Sequence, residues 1–92
     1  MKLLVTVAAI SALLSAPAIA QEDLAKSSGC LNCHANDAKK VGPSFKDISA
    51  KYKGKSDAEA VLVTKLKDGK GHPPVKASEA DDKTLVKWIL SM

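Results

Sequence analysis

Cys30-Leu31-Asn32-Cys33-His34 is the stretch on which the reading of this chain turns. It sets two thiols three positions apart on one turn, with an imidazole directly after them. Paired cysteines serve several chemistries. A dithiol redox catalyst wants a βαβ setting, and the chain carries no convincing alternating strand pattern. A structural zinc site needs four ligands, and His72 is the only further His or Cys. A lone disulfide across so short a loop adds little stability and leaves the neighbouring His unexplained. C-x-x-C-H is instead the pattern of covalent haem attachment. The reason is reach: each thiol adds to one of the two vinyl groups of haem c, and His34 then lies under the iron as an axial ligand.

Working outward, the N-terminal side reads as an export signal. Met1-Lys2 gives a basic start, and Leu3 to Leu14 is an apolar run interrupted only by Thr6 and Ser11. Pro17 breaks it, and small residues at Ala18 and Ala20 form the pattern read by a signal peptidase. The run falls short of the roughly 20 residues that span a bilayer. The expectation is therefore a cleaved signal peptide over 1–20, with a single domain over 21–92 located in the periplasm and no membrane span after the signal is removed.

A domain of that size is marginal on a protein core alone. This one has a single Phe, Tyr and Trp, at Phe45, Tyr52 and Trp88. A bound group should fill the centre. The formal net charge is +4, and every basic residue is Lys. Without Arg or interleaved aromatics, nucleic acid is a poor partner. The mild excess fits steering toward an acidic redox protein, Lys39-Lys40 and Lys51, Lys53 and Lys55 being candidate contacts. Most of these lysines also have a plain role in solvating helix faces.

Helix signals recur down the domain. Glu22 to Ser28 is helical and stops at Gly29. Phe45, Ile48 and Tyr52 share a helical face behind Pro43-Ser44. Ser56-Asp57-Ala58-Glu59 reads as a capping box for a third helix, with Ala58, Val61, Leu62 and Leu66 facing inward and Gly69 ending it. Gly69 to Pro74 is neither helix nor central strand. Ser78 caps a last helix whose apolar face is Leu85, Trp88, Ile89 and Met92. The expected class is all-α, three to five short helices around one haem.

These features together resemble the small bacterial class I cytochromes c. The resemblance rests on C-x-x-C-H, on Gly42-Pro43-Ser44-Phe45, on Asp47 to Tyr52 and on Leu85 to Trp88, and covers Leu24 to Ser91. It implies first and last helices that cross, and Pro43 beside His34 with its carbonyl accepting from the ring N–H. The expected role is a monomeric one-electron carrier, and not an enzyme, since a six-coordinate iron has no free site for chemistry.

One position departs from the family. The usual second axial ligand is a Met in a Pro-rich loop before the last helix, and here His72 stands before Pro73-Pro74 instead. His72 is therefore the candidate sixth ligand, giving bis-His iron and a lowered potential. Two alternatives stay open at this level: a solvated His72 with an open iron suited to small gases, or Met92 folding back. A third possibility concerns context, since such a chain also serves as the cytochrome subunit of a larger redox complex.

Overall fold

The computed structural model describes residues 18–92. Residues 1–17, and with them nearly all of the expected leader, lie outside the described residues. Four helices follow in order: α1 (Ala18–Ser27), α2 (Phe45–Tyr52), α3 (Ala58–Asp68) and α4 (Glu79–Leu90), with a 3₁₀ turn over Cys30–Asn32. Among the described residues the only β pairing is an isolated bridge between His34 and Lys39. The fold is all-α and class I cytochrome c-like.

Local chemistry sets the helix ends. At α2 and α4 the capping residues, Ser44 and Ser78, are extended at ψ 154° and 158°, and each hydroxyl accepts from an N–H three residues on, at 3.1 Å. That relieves an unpaired donor in each first turn. The expected capping box at Ser56 does not form. Asp57 takes the cap position at φ −98°, ψ 5°, a turn conformation, and no side chain caps α3. Backbone turns replace it, Lys55 N–H donating to the Tyr52 carbonyl at 3.1 Å and Ala58 N–H to that of Lys55 at 3.2 Å. Glu59, freed from the box, reaches Lys87 at 3.9 Å. Gly69 closes α3 in the left-handed region at φ 70°, where a Cβ would also crowd Pro74 Cδ at 3.1 Å.

The core sits where α4 crosses α1 and α2. Ala25, Phe45, Leu85, Trp88 and Ile89 are buried, with Leu24, Leu31 and Ile48 packed around them. Trp88 meets Phe45 edge to face, centroids 5.5 Å apart, an arrangement favoured by the ring quadrupoles. Each large side chain so buried contributes about 1.5–3 kcal/mol. Buried Ser49 fastens α2 to the end of α4 by donating to the Leu90 carbonyl at 3.2 Å.

Two expected faces shift. On α3 it is Val63, not Val61, that is buried with Ala58, while Val61 is half-buried. On α4 the apolar stripe is Leu85, Val86, Trp88 and Ile89. The helix ends at Leu90, so Met92 leaves the stripe and is 39% exposed.

Candidate functional site

One side of the helical core opens into a cleft of about 750 Å³, within the usual range of roughly 300–1,000 Å³ for small-molecule sites. Cys30, Cys33 and His34 stand along one wall, and His72, Pro73 and Pro74 along the other. Phe45 and Ile48 of α2, Leu62 and Leu66 of α3, and Leu85, Val86 and Ile89 of α4 supply its apolar surfaces. Lys51, Tyr52 and Lys65 are among its polar groups. The five residues expected to hold the haem, its iron or the first imidazole, Cys30, Cys33, His34, Pro43 and His72, all line this one cleft.

The attachment turn is built from backbone constraints. Gly29, left-handed at φ 83°, turns the chain out of α1 into the 3₁₀ turn. His34 N–H donates to the Cys30 carbonyl at 3.0 Å, which ties the histidine back to the turn that carries the thiols. The two cysteines are half-buried and are not joined to each other. Burial pushes the Cys30 thiol above its ordinary range; a main-chain hydrogen bond pulls it partly back, and the nearby Asp82 charge pushes it up further. Lys40 donates from Nζ to the Leu31 carbonyl at 2.8 Å, clamping the turn from outside.

The two imidazoles are oriented in the same way. His34 Nδ1 lies 2.6 Å from the Pro43 carbonyl oxygen, and His72 Nδ1 lies 2.7 Å from that of Pro73. A carbonyl can only accept, so each Nδ1 carries a proton, and in the neutral ring Nε2 is then the nitrogen that offers a lone pair. The ring planes are within 3° of parallel and their centroids are 6.1 Å apart. Two imidazoles meeting one metal ion from opposite sides, with metal–nitrogen bonds of about 2 Å, would place their centroids roughly 6 Å apart. The loop from Gly42 holds the first ring: Gly42 N–H donates to the Cys33 carbonyl at 2.7 Å, and a Cβ on Gly42 would meet His34 Nδ1 at 2.9 Å. Phe45 backs the same ring with centroids 5.3 Å apart. A large flat apolar group with two reactive vinyls and a central metal fits this donor set and these walls.

The Lys65 contact had no signal in the sequence. Lys65 of α3 donates to the Tyr52 hydroxyl at 3.3 Å, and Lys51 and Lys55 lie over the Tyr52 ring at 5.6 and 5.3 Å. These pairs place cationic groups at the α2–α3 end of the cleft, where acidic substituents of a cofactor could be held. Lys40, read from the sequence as a solvated lysine and a candidate docking contact, is engaged with the attachment turn. Trp88 is absent from the cleft wall and stands behind Phe45.

Residues 22–92 match the profile of the family described as Cytochrome c. The chain is 42% identical over 95 residues to cytochrome c-552 of Nitrosomonas europaea, covering 95% of this chain and 92% of that protein. Cytochrome c-551 of Azotobacter vinelandii is 46% identical over 77 residues, covering 76% of this chain and 94% of its own. Among solved structures, the class 1 cytochrome MtoD of Sideroxydans lithotrophicus ES-1 superposes with a TM-score of 0.75 at 37% identity, covering 84% of this chain and 97% of the other.

Proposed function

This chain belongs to the cytochrome c family and is a periplasmic monohaem electron carrier; from that premise we propose that His34 and His72 hold the iron from opposite sides and that this pairing lowers its reduction potential. One observation carries the reading: two parallel imidazoles 6.1 Å apart, each with Nδ1 tied to a proline carbonyl and Nε2 left free. Bound haem supplies a reversible one-electron change at iron.

The rest is the work of the chain. Cys30 and Cys33 anchor the group so that a small domain need not enclose it fully. Pro43 fixes the His34 ring and, by accepting its Nδ1 proton, makes Nε2 a better donor. Pro73 does the same for His72, and the rigid Pro73-Pro74 pair keeps that ring turned inward. Leu62, Leu66, Val86 and Ile89 keep water from the faces of the cleft. An imidazole in place of a thioether withdraws the ligand that raises potential in the Met-ligated relatives.

An acidic protein partner suits the surface beside Tyr52. Lys46, Lys53 and Lys55 line a second cavity of about 500 Å³, and Tyr52 is a wall of both cavities. Opposite charge there would steer encounter to within one side chain of the cleft.

The ligation is tested on the mature holoprotein. The expected absorption spectrum is low-spin bis-imidazole in both redox states. His72→Ala should lose it and bind carbon monoxide when reduced, and His72→Met should raise the midpoint potential. A His72→Ala protein with an unchanged spectrum overturns the assignment and leaves an open or otherwise ligated iron.

A further inference from the structure

Asp82, Leu85, Val86 and Ile89 fall on one stripe of α4 by helical spacing, and all four are buried. The last three line the cleft. Asp82 continues the stripe by one turn toward the attachment turn, and its charge is felt at Cys30. It is only 2% exposed, less than Trp88 at 7%. Its Oδ1 has no hydrogen-bond partner among the described residues. A charge so placed is strongly disfavoured unless something opposes it.

The groups that face it do little to oppose it. From its own helix, Asp81 and Glu79 both disfavour ionisation. From α3, Lys67 favours it, but that ammonium also reaches Glu79 at 3.7 Å. From the 3₁₀ turn comes Cys30, which brings no positive charge. The helices α1 and α2, packed on the same side, bring no further charge that moves its proton equilibrium. The next turn of α4, at Leu85 and Val86, lines the cleft, so a charge held there lies one helical turn from the carboxyl.

We propose that Asp82 sets the redox potential as a function of pH, its buried carboxyl losing a proton when the centre is oxidised and regaining it on reduction. The exchange balances simply. On oxidation one electron leaves to the redox partner and one proton leaves Asp82 for solvent; reduction reverses both. The oxidised centre carries one more positive charge than the reduced one, so it favours the ionised carboxyl. Asp82 acts through the field at the cofactor and makes no hydrogen bond to His34 or His72, so it is a positioning residue for charge. The inference rests on attachment at Cys30 and is independent of which group takes the sixth position.

The test is the midpoint potential of the holoprotein across a pH series, wild type beside Asp82→Asn. The wild-type potential should fall as pH rises through the Asp82 titration. The Asn variant should lose that part of the slope, coincide with wild type in acid and lie above it in alkali, with an unchanged absorption spectrum. Superimposable pH profiles overturn the proposal. A second readout needs no variant to fold: the redox-difference infrared spectrum of wild-type protein, carrying isotopically labelled Asp, should show a protonated carboxyl signal gained on reduction. Its absence at every pH overturns the proposal as well. A change of ligation would register in the absorption spectrum instead, so the two assignments fail separately.

Discussion

The two walls of the cleft are held in different ways. The wall carrying Cys30, Cys33 and His34 is braced by α1, by the crossing α4, by the Lys40 clamp and by the Phe45–Trp88 pair. The wall carrying His72 hangs between α3 and α4 on little more than the Gly69 turn and one backbone bond, from Val75 N–H to the Leu66 carbonyl at 3.0 Å. Protein packing fixes the first wall; the second depends on whatever it closes upon. A small domain can thus assemble its attachment side ahead of the cofactor and complete its other side around it.

The largest effects should come from the braced wall. Phe45→Ala or Trp88→Ala removes the shared contact of α2 and α4 and should cost roughly 3–5 kcal/mol in denaturant unfolding. Equal losses from Leu66→Ala measured without cofactor would erase the distinction between the walls. Next is His72→Ala, which should leave cofactor attachment and helical circular dichroism in place while lowering the stability of the holoprotein by the lost iron bond alone. Collapse of the fold in that variant would show that the hanging wall is structural. Ser44→Ala and Ser78→Ala should each cost about 1 kcal/mol, seen as a lower unfolding midpoint. Ser56→Ala should cost less than either, since no cap bond is made there. The smallest effect is a matter of shape rather than size. Burial, with Asp81 and Glu79 beside it, holds the Asp82 carboxyl above its ordinary range. The native state therefore keeps that proton longer than the unfolded chain, and its stabilising effect, complete in acid, is lost as pH rises through the raised value. Asp82→Asn should flatten that part of the stability curve and match wild type in acid.

Much of this was legible in the residues themselves. The cysteine motif, the Ser78 cap, the Gly69 stop and the all-α class follow from local chemistry and needed no tertiary knowledge. The pairing of Asp82 with the interior did not. As a residue in the first turn of α4 it satisfies the helix dipole from sequence alone, and only the crossing helices show that it is shut away from water. Val63 displaced Val61 for a similar reason: a single helix offers several inward faces, and its neighbour chooses one. Lys40 is a third instance, because nothing in the sequence marks the Leu31 carbonyl, nine positions back, as its partner. Ser56 failed for a local cause, the turn at Asp57, which sequence spacing does not reveal. Where a segment carries its own instructions it reads true; where a second segment decides, it does not.

Gly42 gives the first imidazole a slot rather than a site. With backbone close on one side and Phe45 on the other, the His34 ring has no room to swing about its bond to Cβ. Its bearing relative to Gly42 and Phe45 is accordingly a property of the polypeptide and not of the metal. Replacing iron by zinc or cobalt in the same porphyrin should leave that ring unturned, which makes this small scaffold a ready-made jig for comparing metals under one fixed imidazole.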